Sequence, residues 1–201
     1  MKIVSSWRKR ILTMLLLAGF LTSNLFAYDA DVQNISSGKY FESTLHEINS
    51  AKFSIIAVLY LVSAYPEPSD SQPNQLLNAL IKAKDRGVSV KVILDQQIDF
   101  DNEPTDDAAQ SNKNQTAFEI LKNNQVPVFF DTSDVYTHSK AILIDNETVI
   151  LGSSNWSTSA LSRNNEANVL IKSKELAKEL LSDFDKIKLK GDIPASLTPA
   201  V

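Results

Sequence analysis

The chain has 201 residues, of which 43% are hydrophobic, and its formal net charge is −4. This length is enough for one domain with a substantial core. The chain has no cysteine, so disulfide bonds contribute nothing to its stability and zinc sites built on cysteine are excluded. It also has no long run of basic residues of the kind that usually marks extended nucleic-acid binding.

The N-terminus has the pattern of an export signal. Arg8-Lys9-Arg10 precedes an apolar run over residues 11–20, and Ala27 offers a plausible cleavage site. We expect residues 1–27 to be a signal peptide, so that the mature protein is periplasmic or secreted. The alternative is an uncleaved anchor over residues 11–27, although this run is slightly short for a span and polar residues interrupt it. Cleavage would remove four basic residues and no acidic one, which lowers the net charge from −4 to −8.

The rest of the chain alternates helix and strand patterns. Phe41, Leu45 and Ile48 follow helical spacing, and His46 falls between them as a helix-surface residue. The further predicted elements are a strand over 53–61, a helix over 74–86 stopped by Gly87, a strand over 88–94, a helix over 116–123, strands over 126–130, 141–144, 148–151 and 167–171, and a helix over 175–188 with Ser173 as its candidate cap. This order predicts an α/β fold, with a layered mixed β-sheet flanked by helices.

Two stretches are predicted to be loops. Residues 63–73 contain three prolines. Residues 98–115 are acidic and rich in asparagine, which indicates a solvated surface loop or, alternatively, a rim of the active cleft. This acidic segment lacks the glycine turn and the regular ligand spacing of an EF-hand, so we do not interpret it as a cation site.

The most informative stretch begins at His138. Residues 141–144 and 148–151 are short apolar runs typical of buried strands, and Asp145-Asn146-Glu147 between them is a turn pattern, so a hairpin is predicted. Because side chains alternate along a strand, His138 and Lys140 project from the same face at the hairpin entrance. An imidazole beside a fixed cation suits attack on a phosphodiester without a metal.

The second strand of this hairpin returns to the same end. There Gly152 would let the backbone approach a ligand closely, and Ser153 and Asn155 would offer a hydroxyl and an amide to phosphate oxygens. Two of the residues have a second interpretation. Asp145 could chiefly hold the hairpin turn, and Ser153 could serve local loop bonding.

These residues resemble the signature of the phospholipase D superfamily, which is His-x-Lys, four residues, Asp, and then Gly-Ser-x-Asn. The chain has this pattern from His138 to Asn155, and Glu166 stands where family members place a glutamate that orients the histidine. The resemblance covers about residues 38–188. It implies a phospholipase D-like fold and a single catalytic domain over residues 28–201.

The resemblance and the chemistry of the side chains together imply the following roles. A neutral imidazole is available as a nucleophile at neutral pH and would form a phosphohistidine. Lysine and asparagine would hold the non-bridging oxygens, and the glutamate would fix the imidazole tautomer. The expected catalytic residues are His138, Lys140, Asp145, Asn155 and Glu166, and the expected substrate-binding residues are Lys140, Ser153 and Asn155. We expect no metal and no other cofactor.

A leaving alkoxide also needs a proton, but the chain carries only one copy of the motif. The family resolves this with two motifs that face each other across a twofold axis. The resemblance therefore implies a homodimer with a shared active site, in which one His138 attacks and the other protonates the leaving oxygen.

The substrate class stays open between alternatives. Similarity to small single-motif nucleases of the superfamily favours a nuclease of low sequence specificity that cleaves DNA, RNA or both. The alternative is a phospholipase D that hydrolyses phospholipid headgroups, and the third possibility is an inactive phosphate-binding module. Trp156 is a candidate for contact with either lipid or bases.

Overall fold

The computed structural model describes residues 27–36, 38–96, 114–132 and 134–190. The predicted signal segment before Ala27 and most of the acidic loop, residues 97–113, lie outside the described residues. Among the helices of the described ranges, none combines the length and the apolar character that a membrane span requires.

Seven strands of the described residues form one sheet in the order β1-β7-β6-β5-β2-β3-β4. Their bounds are β1 Asp31–Asn34, β2 Ser54–Leu59, β3 Ser89–Leu94, β4 Val128–Phe130, β5 Lys140–Ile144, β6 Thr148–Gly152 and β7 Asn168–Lys172. The pairs β2–β3 and β3–β4 are parallel, whereas β5, β6, β7 and β1 each join their neighbour antiparallel. The predicted mixed sheet is therefore confirmed.

This topology brings the ends of six strands to one edge of the sheet. The parallel strands β2, β3 and β4 all finish there. Leu59 at the end of β2 pairs with Lys140 at the start of β5, and Gly152 at the end of β6 pairs with Asn168 at the start of β7. The segments that follow or precede these residues therefore meet at this edge, which we call the catalytic edge.

Helices cover both faces of the sheet. Helices α1 (Lys39–Ser50), α2 (Gln72–Asp85) and α3 (Gln115–Asn123) contribute to the larger apolar core, and α5 (Lys174–Phe184) packs on the opposite face. The short helix α4 (Thr158–Ser162) contacts α1 and α2. The predicted cap of the last helix is confirmed, since the Ser173 hydroxyl accepts the Leu176 N–H at 3.4 Å.

Three details differ from the sequence prediction, and each has a tertiary cause. Strand β1 was not predicted because all four of its residues are exposed and its order comes from backbone pairing with β7. Helix α4 is only five residues long and has no usable periodicity. Helix α5 ends at Phe184 instead of residue 188, because the chain then turns so that Leu189 bridges to Asp131.

Candidate active site

His138 and Lys140 lie together at the catalytic edge, as their spacing predicts. Lys140 is the first residue of β5, and its Nζ lies 3.4 Å from His138 Nε2. The same Nζ donates a hydrogen bond of 2.9 Å to the His138 carbonyl oxygen. An ammonium group donates only, so its contact with the ring is favourable when Nε2 carries the lone pair. His138 is exposed, so a ligand can reach its ring. The lone pair becomes available for attack on phosphorus when the lysine turns its hydrogen bond from Nε2 to a phosphoryl oxygen.

Lys140 is a buried cation, with a relative exposure of 8%. Burial lowers its pKa, and the negative charges of Glu166 and Asp95 partly oppose this effect. A charged group taken out of water interacts more strongly with other charges than an exposed one does. This lysine is thus placed to hold a phosphoryl oxygen, and the two carboxylates offset only part of the lowering of its pKa that burial causes.

Two tyrosines next to this pair were not found by sequence reasoning. The Tyr60 ring lies 4.3 Å from the His138 ring between centroids, and Lys140 Nζ lies 4.6 Å from the Tyr60 centroid. Tyr136 packs on Tyr60 with centroids 5.7 Å apart. Their hydroxyl hydrogen bond, with a smaller contribution from burial, raises the pKa of Tyr60. Tyr60 lies in an apolar strand pattern, and nothing in that pattern indicates that its ring contacts His138.

A buried polar network supports the backbone beneath the imidazole. Asp95 is 1% exposed, and its Oδ2 accepts the Thr137 N–H at 2.8 Å, one residue before His138. The buried side chain of Asn114 donates to the carbonyl oxygens of Tyr60 and Asp95, both at 2.9 Å, and accepts the N–H of Val62 at 2.7 Å. Asn114 belongs to the stretch that we expected to be a loop. Its hydrogen bonds link segments that are distant in sequence, so they could not be predicted without the folded topology.

Glu166 and Ser153 are bonded to each other. The Ser153 hydroxyl donates to Glu166 Oε2 and accepts the Ala167 N–H at 3.0 Å, while Asn164 Nδ2 donates to Glu166 Oε1 at 3.0 Å. Within the described residues we find no hydrogen bond from Glu166 to His138, so the expected ring-orienting contact is not seen. The Ser153 hydroxyl is likewise engaged locally and is not free for phosphate in this arrangement.

Gly152 is required by the packing of the sheet. A Cβ at this position would lie 2.2 Å from Asn168 Oδ1 and 2.5 Å from the Ala167 carbonyl oxygen. The glycine is therefore needed for the close approach of β6 to β7, a requirement that the sequence did not reveal.

Asn155 is half-buried at the catalytic edge, and its side-chain oxygen has no hydrogen-bond partner among the described residues. Buried polar atoms are nearly always paired, so an unpaired one requires an explanation. Among the expected site residues, Asn155 is thus the one with a buried side-chain atom that is not hydrogen-bonded within the described residues. An amide oxygen only accepts hydrogen bonds, so holding a phosphoryl oxygen would fall to the Nδ2 donors of the same side chain.

Asp145 is not brought to the site. It follows the far end of β5, five residues and roughly 16 Å of extended strand from Lys140. Its carboxylate accepts the N–H groups of Lys52, Phe53 and Ser54 at 2.9, 2.8 and 2.9 Å. It also has a left-handed φ of 53°, as has Asn146. These contacts support the second interpretation of Asp145, in which it holds the β5–β6 turn against the start of β2, whereas its catalytic role stays a prediction.

Two further expectations can be compared with the structure. Trp156 is fully buried and its Nε1 donates to the Tyr40 hydroxyl at 3.2 Å, so contact with lipid or bases is ruled out for this side chain. His46 is exposed on α1, as predicted. The described residues contain no group of three or more side chains that could hold a metal ion.

Curated proteins with similar sequences include phospholipases D and cardiolipin hydrolases. The phospholipase D of Rickettsia typhi is 30% identical over 133 residues, which are 65% of this chain and 58% of that protein. The mitochondrial cardiolipin hydrolase of Homo sapiens is 28% identical over 147 residues, which are 73% of this chain and 51% of that protein. The chain thus spans only a little over half of the length of these relatives.

A solved structure supports the same relationship. Nuc from Salmonella typhimurium, a phospholipase D family member, superposes with a TM-score of 0.62 at 27% identity, over 82% of this chain and 100% of that chain. This likeness confirms the phospholipase D-like fold. The family model described as cardiolipin synthase, PLD-like domain, matches residues 44–188. Because this match covers well over half of the sequence, the chain belongs to the phospholipase D superfamily.

Proposed function

We propose that the protein is a metal-independent phosphodiesterase that acts through a phosphohistidine intermediate. The observation that carries this proposal is the contact between Lys140 Nζ and His138 Nε2 at 3.4 Å, in which the imidazole is exposed and the lysine is buried. These two groups supply a nucleophile and a cation from the protein itself. A metal ion is therefore not needed for either role.

The reaction is a double displacement. Nε2 of His138 attacks phosphorus, the bond to the leaving oxygen breaks, and that oxygen takes a proton from a general acid. Water then attacks the phosphohistidine, gives its proton to the group that acted as acid, and releases His138. Lys140 and the amide of Asn155 stabilise the charge that develops on the non-bridging oxygens.

The general acid belongs to a second copy of the chain in this proposal. The described residues place one imidazole at the catalytic edge, and His46 lies apart on α1. In an isologous dimer the same patch of both chains meets across the twofold axis. The His138 of one subunit would attack while the His138 of the partner protonates the leaving group.

Nucleic acid is the substrate class that we propose first, with low sequence specificity. The support is architectural, since the match to Nuc covers the whole of that chain, whereas the curated relatives are matched over little more than half of their lengths. A phospholipid headgroup is the second candidate, because those relatives are a phospholipase D and a cardiolipin hydrolase. An inactive phosphate-binding module is disfavoured, because His138, Lys140 and Asn155 are all present.

Export by residues 1–27 is part of this proposal.

One experiment tests the chemistry and the substrate together. Purified protein is incubated with single- and double-stranded DNA, RNA and phosphatidylcholine vesicles, each with and without a strong chelator. We expect cleavage of nucleic acid in both conditions. A parallel alkaline quench with mass spectrometry should show a phosphoryl adduct on His138. Loss of all activity on chelation, with recovery on adding magnesium or zinc, would contradict the proposed mechanism. Cleavage confined to the vesicles would replace the first substrate class by the second.

The shared site has its own test. Excess His138→Ala chain is titrated into the wild-type protein under conditions that allow subunit exchange. A heterodimer would contain a single imidazole, so activity should fall well below simple dilution. Sedimentation should show a dimer at the assay concentration. A fully active monomer, or no inhibition despite proven exchange, would require a different general acid.

A further inference from the structure

We infer that Tyr60 is a positioning residue of this site, whose ring seats the imidazole of His138 and the ammonium group of Lys140 against each other. The inference rests on the proposed function for what those two groups do in the reaction. The contacts themselves are independent of that function.

One aromatic ring contacts both members of the pair. The centroid of the Tyr60 ring lies 4.3 Å from that of His138, with the two planes tilted by 55°. Lys140 Nζ lies 4.6 Å from the same Tyr60 centroid. The third side of this triangle is the Nζ to Nε2 contact at 3.4 Å. The ring, the nucleophile and the cation therefore fix one another's positions.

Tyr60 is itself held from several directions. It follows β2, where its N–H donates to the Ser139 carbonyl oxygen at 2.7 Å, between the histidine and the lysine. Its own carbonyl oxygen accepts from Asn114 Nδ2 at 2.9 Å. Its hydroxyl bonds to Tyr136, whose ring packs on it at 5.7 Å. The ring is thus a fixed support, and an exposed imidazole needs such a support to keep one rotamer.

The contact with Lys140 also has an electrostatic effect. Burial lowers the pKa of this lysine, which means that its surroundings disfavour the charged form. The negative face of an aromatic ring attracts a cation, and it does so more strongly away from water. Tyr60 therefore favours the protonated lysine that the proposed chemistry requires.

Three variants test the role of the ring by kinetics. Tyr60→Leu removes the ring, Tyr60→Phe keeps it, and Tyr65→Leu is a matched control at a half-exposed tyrosine farther along the chain. We expect Tyr60→Leu to lower kcat by roughly 10- to 100-fold with little change in KM, because reacting groups displaced by about an ångström cost rates of this order. Tyr60→Phe should recover most of the loss, and Tyr65→Leu should behave as wild type. Equal losses in the Phe and Leu variants would overturn the assignment to the ring.

A second measurement does not depend on turnover. The chain has two histidines, so a His46→Gln background leaves His138 as the single imidazole in a proton NMR spectrum. Tyr60→Leu in this background should shift the ring-proton signals of His138, because the ring current of Tyr60 is lost, and should broaden them. Unchanged signals would overturn the proposed contact, even if the variant were poorly active for another reason.

The kinetic and NMR experiments distinguish failure of this inference from failure of the proposed function. If His138→Ala retained activity, the proposed chemistry would fail whatever the Tyr60 variants do. If His138→Ala were inactive and Tyr60→Leu were fully active with unchanged His138 signals, only the role of Tyr60 would fail. Thermal unfolding of each variant shows whether the protein is folded. If Tyr60→Leu does not fold, Tyr60→Phe still tests the role of the ring, because it should keep most of the activity.

Discussion

The two ends of strand β5 carry residues of the same sequence motif but do different work. At the first end, Lys140 is buried and His138 is exposed, and Asn155, which follows β6 at the same edge of the sheet, has an unpaired side-chain oxygen. At the other end, the Asp145 carboxylate accepts three backbone N–H groups. One end keeps polar groups available for a ligand, and the other uses its polar group to complete the fold.

The difference shows that spacing within a motif does not place its members in one site. A histidine and a lysine two positions apart share one face of a strand, whereas an aspartate five residues beyond the lysine lies at the other end of it. The motif therefore combines two requirements, a chemical one at His138 and Lys140 and a structural one at Asp145. Substitutions at the two ends should separate these requirements.

The largest effect is expected for His138→Ala. Loss of the nucleophile should lower kcat by at least about 10³-fold, while the free energy of unfolding should change by no more than about 0.5 kcal/mol, because the side chain is exposed. Steady-state kinetics and thermal unfolding measure the two quantities. His46→Ala is the matched control and should keep most of the activity. Near-wild-type turnover of His138→Ala would end the proposed mechanism.

Lys140→Met should come next. Methionine is flexible and apolar and can occupy the buried space of the lysine stem, so the variant should fold. We expect kcat to fall by about 10²- to 10³-fold, as when a group that stabilises developing charge is removed. A loss confined to KM would show that Lys140 binds substrate and transition state equally, and would remove it from the chemistry.

The sequence was sufficient to predict six of the seven strands of the sheet and the pair of residues at its edge. The strands and helices follow apolar periodicity, and His138 and Lys140 are neighbours on a strand, so their contact is local. Local spacing also predicted the Ser173 cap.

The rest of the site depends on contacts between distant segments. Tyr60, Asp95 and Asn114 approach His138 only because β2, β3 and the start of α3 meet at the same edge, and no periodicity encodes that. Glu166 and Ser153 were predicted to serve the histidine and the phosphate, but they bond to each other across the β6–β7 junction. Trp156 was considered for ligand contact, yet the core encloses it fully.

At the structural end, Asp145→Ala should reduce stability without changing the chemistry. It removes the hydrogen bonds to Lys52, Phe53 and Ser54 and puts alanine at a left-handed φ of 53°, so we expect a loss of roughly 2–4 kcal/mol. Asp145→Gly removes the bonds but tolerates this backbone conformation, and should lose less. Denaturant unfolding measures both. Per folded molecule, kcat should stay at the wild-type value. A large fall in kcat at unchanged stability would return Asp145 to the catalytic residues.

The smallest effect concerns the charges around Lys140. Burial lowers its pKa, and the carboxylates of Glu166 and Asp95 raise it, with Glu166 the stronger of the two. Lysine is charged below its pKa and neutral above it, and the proposed chemistry needs the charged form, so activity should be lost as the pH rises through this pKa. Asp95→Asn keeps an oxygen that can accept the Thr137 N–H but removes the charge, so the alkaline limb of kcat should move to lower pH.

Glu166→Gln should move the same limb further in the same direction, whatever it does to the maximal rate. Asp134→Asn is the control, because that exposed carboxylate pairs with Lys188 and should leave the limb in place. Tyr60 is unsuited to explain the limb, since its pKa is raised by the hydrogen bond to Tyr136. Complete pH–rate profiles of the three variants test whether the limb moves most in Glu166→Gln, less in Asp95→Asn and not at all in Asp134→Asn. If Asp95→Asn and Glu166→Gln moved the limb to higher pH, or left it fixed, a group other than Lys140 would control it.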